Sequence, residues 1–164
     1  MWWSEAKSLT GRRGVLGLLP VLALAGCGFR PALGENGAAQ VYMGRVRAAD
    51  PVDEAGFAFV RQIEARLGRA SVVDYDLAYS ITTSSDGVGI TPDGAITRYN
   101  VIGVARWTLT RRVDGVRLAG GTVDNFTSYS ATGSTVAGLA AREDAGRRLM
   151  TLLADAVVTR MLAA

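Results

Sequence analysis

Histidine is absent from the 164 residues, cysteine occurs once, at Cys27, and lysine once, at Lys7. With no imidazole and only one thiol and one amine, the usual general bases, nucleophiles and soft metal ligands are missing. Chemistry is left to carboxylates, hydroxyls and tyrosines. A single cysteine also excludes an internal disulfide, so a secreted chain of this size has to rely on packing or on a partner for its stability. The formal net charge is only +3. No concentrated basic face of the kind a nucleic-acid binder keeps is visible, and no nucleic-acid partner is expected.

What is present begins with a processing signal. Arg12 and Arg13 precede an apolar run from Gly14 to Ala25, and the run ends in Leu24-Ala25-Gly26-Cys27. A positive flank, an apolar stretch of about a dozen residues and small residues before a cut describe a secretory signal, too short to cross a hydrocarbon core of roughly 30 Å. The four residues resemble the bacterial lipobox, which implies cleavage before Cys27, a diacylglycerol on its sulfur and a further acyl chain, palmitate-like, on the new amino terminus. Such an anchor holds a protein on a membrane without spanning it. Residues 1–26 are therefore expected to be the signal peptide, and Cys27 the lipidation site. Arg12-Arg13 is open to two readings, a plain positive flank for general export or a twin-arginine signal.

Cleavage leaves residues 27–164, enough for one small domain with its own core. Lys7, Arg12, Arg13 and Glu5 all precede the cut, so the mature chain carries a net charge of only +1. It also contains no lysine at all. Gly28 to Ala39 holds Pro31, Gly34 and Gly37 without a period, and residues 27–39 read as a lipidated tether before a single domain over 40–164.

Within that domain Gln40–Arg47 reads as a first strand. Asp50-Pro51 looks like an N-cap with proline at the first helical position, and Val52, Phe59, Val60, Ile63 and Leu67 lie at helical spacing up to Gly68. From Val72 to Thr83 the period becomes two, with Val73, Tyr75, Leu77, Tyr79 and Ile81 on one face. Ser84–Gly94 carries dense turn chemistry and is expected to form a long hairpin tip. Ala95–Arg112 alternates again, with Thr97, Tyr99, Val101, Ala105, Trp107 and Leu109 on one side. Asp114-Gly115 suggests a type I′ turn into a last strand, Val116–Ser130, where Gly120 and Gly121 signal either a bulge or a close backbone approach. A helix from about Gly138 to Leu162 buries Ala145, Leu149, Leu152, Leu153, Ala156 and Val157 and sets Glu143 and Asp144 near its positive end. The order β-α-β-β-β-α predicts an α+β fold. Its four-stranded mixed sheet has a parallel crossover between the first two strands, an antiparallel meander after it and two helices on one face.

Cys27-Gly28-Phe29-Arg30-Pro31-Ala32-Leu33 resembles the mature start of the LptE family of lipopolysaccharide-assembly lipoproteins, in its alphaproteobacterial form. Tyr75-Asp76-Leu77, Thr97-Arg98-Tyr99-Asn100 leading into Trp107-Thr108-Leu109, Ser128-Tyr129-Ser130 and the alanine- and arginine-rich last helix follow in the order of that family. The resemblance implies a non-enzymatic protein without a cofactor beyond its lipid. Anchored at the periplasmic face of the outer membrane, it would plug and help assemble the barrel of an LptD-like partner and contact lipopolysaccharide on its way to the outer leaflet. Gly28 fits, because an aspartate after the cysteine is the usual signal for staying in the inner membrane. In the family the lipopolysaccharide-contacting basic residues lie at the tip of the hairpin between the second and third strands and just before the last helix. The first position falls near Pro92, which carries no charge, and Arg142 lies close to the second. Arg98, Arg106 and Arg142 are thus the candidates for the phosphorylated headgroup, since guanidinium forks pair well with phosphate.

Other readings stand beside these. Asp74 and Asp76 offer a carboxylate pair or cation site, or simply a polar strand edge. Tyr75, Tyr79, Tyr99 and Trp107 either line a lipid path or fill the core. For the whole chain, the alternatives to a translocon plug are another periplasm-facing adaptor lipoprotein and an unrecognised hydrolase; the hydrolase needs a nucleophile and base that this composition hardly supplies.

Overall fold

The computed structural model of the chain describes residues 37–131 and 134–164, so the expected signal, Cys27 and nearly all of the tether lie outside the described residues. The domain is a four-stranded sheet in the order β1-β2-β3-β4, with β1 (Val46–Ala48), β2 (Tyr75–Ile90), β3 (Ile96–Arg111) and β4 (Arg117–Ser130). Two helices, α1 (Glu54–Leu67) and α2 (Thr135–Leu162), pack against each other on one face of it. β1 pairs with β2 in parallel, Val46 beside Tyr75 and Ala48 beside Leu77, as the crossover requires. β2, β3 and β4 form the antiparallel meander.

Alternation decides which side chains meet the helices. Along β3 the odd positions Gly103, Ala105, Trp107 and Leu109 are buried, whereas Arg98 and Arg106, at even positions, are exposed on the other face. Phe59, Ile63 and Leu67 from α1 and Leu149, Leu153 and Val157 from α2 close over Leu77, Ala105 and Leu109 to make one core. An ion-pair clamp ties the helices together: Asp155 accepts hydrogen bonds from Arg66 Nε at 2.8 Å and Nη2 at 2.7 Å, and from Gln62 Nε2 at 2.8 Å.

Several elements differ from the sequence expectation. The first strand is three residues long; Ala38–Val41 instead forms a 3-10 turn, having no period-two pattern to commit it to the sheet. α1 starts at Glu54 because Asp53, not Asp50, caps it, accepting from Gly56 N at 2.7 Å. Val52 thereby falls outside the helix and is 97% exposed. At the other end of the chain, Ser134 accepts from Ala137 N and starts α2 one turn earlier than Gly138. Glu143 and Asp144 then lie too far along α2 to feel its first turn, and Asp144 pairs instead with Arg147 and Arg148. Leu152 is exposed, and Met150, Val158 and Met161 are buried in the stripe it was expected to share.

The expected long tip is mostly strand. Pairing continues through Ser84–Ile102, Ser85–Val101 and Asp86–Asn100, and only Thr91 to Ala95 turns. Gly87 and Gly89 serve close packing: a Cβ there would stand 2.8 Å from Ile96 Cδ1 and 2.7 Å from Thr97 Oγ1. At the second hairpin the loop runs from Arg112 to Gly115, closed by Arg111 N to Val116 O at 2.8 Å. It is not a type I′ turn, which needs positive φ at both central residues; here Gly115 alone has it, at 68°. Gly120 marks a close approach, since a Cβ on it would lie 2.9 Å from Trp107 O, and a register shift beside it leaves Leu118 unpaired.

Candidate functional site

The three candidate arginines occupy two faces. Arg142 projects from the third turn of α2, on the helix side. The segment just before that helix, where the family's second basic position was expected, holds no basic residue, because the helix begins at Thr135. Arg98 and Arg106 share the open face of β3, eight residues and so about 27 Å apart. No single site holds all three.

Arg142 lines a cleft of about 450 Å³ between the N-terminal ends of the two helices. Val101, Leu149 and Met150 give it an apolar floor, and Asp53, Glu54, Glu143 and Arg147 complete its charged rim. Asp53 is occupied in capping α1 and Arg147 is held by Asp144 at 3.6 Å, which leaves Arg142 as the cleft's guanidinium without an ion pair.

On the opposite face Arg106 borders a shallow hollow with Ser80, Thr108, Thr122 and Arg117. Arg117 is a residue that nothing in the sequence pattern singles out. Arg98 stands near the β2–β3 tip in the row of Gly89 and Ser130. Among the described residues Arg61, Arg98, Arg106, Arg117, Arg142 and Arg160 form no ion pair, while Arg45, Arg47, Arg66, Arg69, Arg111, Arg112, Arg147 and Arg148 all do.

Neither of the other sequence-level candidates assembles into chemistry. Asp74 and Asp76 are separately engaged, with Arg45 at 3.3 Å and Arg112 at 3.7 Å, so they do not work as an acid–base pair. Among the described residues there is no cluster of ligands for a metal ion. The aromatics are spread along the helix side of the sheet. Tyr75 meets Tyr42 edge-on at 5.2 Å, Tyr79 meets Phe59 at 4.8 Å and Tyr99 stacks on Tyr129 at 5.4 Å. Trp107 is buried in the core, its Nε1–H without an acceptor among the described residues. The perturbed ionisations are structural too. Burial, then Asp53 and Asp50, raise the Tyr79 hydroxyl; a hydrogen bond from Thr91 lowers Asp93 at the hairpin tip; Arg66 lowers Asp155.

Comparison with known proteins supplies the context for this geometry. The fold matches a lipoprotein of Caulobacter crescentus with a TM-score of 0.63 at 16% identity, over 76% of this chain and 93% of that one. It also matches the rare lipoprotein B of Shewanella oneidensis, with a TM-score of 0.56 at 12% identity over 73% and 92% of the two chains. A minor lipoprotein of Acinetobacter baumannii follows at 0.52 and 16% identity, over 73% and 89%. No curated protein sequence matches the chain. The lipopolysaccharide-assembly family LptE matches residues 38–161, which is the whole helix-backed sheet. On that match, the chain belongs to the LptE family and its role lies in lipopolysaccharide assembly.

Proposed function

We propose that this protein is the lipid-anchored subunit of an outer-membrane lipopolysaccharide translocon. Acylated at Cys27 at the periplasmic face, it plugs and helps to assemble an LptD-like β-barrel and contacts lipopolysaccharide as it passes to the outer leaflet. It performs no catalysis and needs no cofactor beyond the lipid. The observation that carries the reading is the family match over residues 38–161. Three features of the chain support it. The amino-terminal segment has the layout of a lipoprotein signal followed by a tether, and no described helix is long and apolar enough to cross a membrane. The meander's outer face is open, with Phe126 61% exposed on it. Among the arginines left without ion pairs, Arg98 near the hairpin tip and Arg142 over the inter-helix cleft are the pair at the distal end of the sheet and suit the phosphates of a lipid A headgroup.

The test is co-purification. The full-length protein, affinity-tagged at its carboxyl terminus and extracted from outer membranes in detergent, should bring down a large β-barrel protein. Cys27→Ala should leave an unacylated form that no longer sediments with membranes. Absence of any barrel protein from the wild-type preparation refutes the plug assignment, and an unmodified Cys27 within an uncut chain refutes the anchor.

A further inference from the structure

We infer that the open face of the sheet carries a phosphate-directed site of its own, built by Arg106 and Arg117 and separate from the distal arginines. Directly opposed residues in an antiparallel sheet share a face. One row is therefore Ser80–Arg106–Thr122 and the next Ala78–Thr108–Gly120. Arg117 lies one row further, opposite Thr110, and its side chain folds back over Gly120. A Cβ at Gly120 would stand 2.5 Å from Arg117 Nη2 and 3.0 Å from Nε, so the guanidinium rests flat on the glycine in a place no other residue would leave free. Both arginines thus border the same hollow.

Charge and donor count identify the ligand. No carboxylate lines the hollow. Asp76, in the row of Arg117, is taken by Arg112 at 3.7 Å, and neither Arg106 nor Arg117 has an ion pair among the described residues. The hydroxyls of Ser80, Thr108 and Thr122 border the hollow from three strands and are likewise without hydrogen bonds among the described residues. Two guanidinium forks and three hydroxyls offer more donors than the two oxygens of a carboxylate use. They suit a phosphomonoester, whose three terminal oxygens accept from several directions. Such a group is borne by a phosphorylated lipid headgroup or arrives as free phosphate. Only the first source rests on the proposed function; the site itself does not.

The experiment uses the full-length protein in detergent and follows phosphorus-31 chemical shifts while inorganic phosphate, or dihexanoyl phosphatidic acid in the same detergent, is titrated. Saturable binding should weaken by roughly tenfold in Arg106→Gln and again in Arg117→Gln. Arg106→Lys with Arg117→Lys, which keeps charge but loses the forks, should fall in between and serves as the test if a glutamine variant fails to fold. Tighter binding of the phosphatidic acid assigns the site to a lipid headgroup, and equal binding to the free anion; either supports the site. Equal affinity in wild type and the folded variants overturns it, as does a wild type that binds neither probe. Displacement of phosphate by oligoglutamate at lower concentration overturns it in favour of an acidic protein partner. Binding abolished by Arg142→Gln but untouched at Arg106 and Arg117 overturns it while leaving the proposed function standing.

Discussion

Gly103 marks a close approach of sheet and helix, and Gly103→Ala measures it. The residue lies on β3 between Thr83 and Asn125 and faces α2. An added Cβ would stand 2.9 Å from Leu153 Cδ1 and 3.0 Å from Leu149 Cδ2. Both leucines have no exposed surface, so neither has anywhere to retreat without shifting the helix. Overpacking of this kind costs about 1–3 kcal/mol. Replacing a strand glycine returns roughly 0.5–1 kcal/mol by restricting the unfolded chain. The steric term wins, leaving a net loss of about 1–2 kcal/mol, or some 4–8 °C in melting temperature for a domain of this size. Urea unfolding followed by far-ultraviolet circular dichroism reads it directly. In the Gly103→Ala background, Leu153→Ala should cost less than in the wild type, because it removes the colliding methyl; the coupling should exceed about 0.5 kcal/mol. A Gly103→Ala protein as stable as wild type, or strictly additive costs in the double variant, refutes the close approach.

Three further outcomes follow from particular contacts. Arg66 holds the Asp155 carboxyl below its ordinary value of 3.8, so the clamp's contribution is complete above that value and fades as pH falls through the lowered one. The stability gap between wild type and Asp155→Asn should accordingly be constant near neutrality and close below about pH 4; a gap that persists in acid contradicts the clamp. Gly121, whose Cβ position is 3.9 Å from the unpaired Trp107 Nε1, should accept Gly121→Ser with a gain of about 1–2 kcal/mol. A destabilised serine variant would mean that the indole is not within reach of an acceptor there. Exchange of Arg98 and Arg142 together for aspartate should weaken binding of fluorescent lipopolysaccharide well over tenfold, with an unchanged circular dichroism spectrum; equal affinity would free both residues from that role.

The parts of the fold legible in the sequence are those where one physical signal has no competitor. Tyr75, Leu77, Tyr79 and Ile81 alternate strictly, and Phe59, Ile63 and Leu67 keep helical spacing; these elements formed where the pattern put them. Boundaries failed wherever two local signals competed. Asp50-Pro51 and Asp53 both offer a cap, and the one whose carboxylate reaches a helical N–H three residues on prevailed. Ser84 to Gly89 has turn composition, but a long partner strand pairs with it through Gly87 and again at Gly89, and cross-strand pairing overrode composition.

The arginine sites follow the same logic one level up. Parity alone separates Arg98 and Arg106 from the helix side, because both differ from the buried Ala105 and Trp107 by an odd number of residues. The same parity misplaces Arg117. Counting down β4 from Thr122, an outer-face residue, an odd position should turn toward the helices. The register shift at Leu118, where Leu109 pairs with Ala119 but Thr110 pairs with Arg117, inserts one extra residue and reverses the count. Arg117 is thus delivered to the outer face beside Arg106, and Gly120 leaves room for its guanidinium to fold back. Two glycines in a weak strand are the only sequence trace of that device. They signal an irregularity without stating which side chain it redirects, and that depends on where in the ladder the extra residue falls.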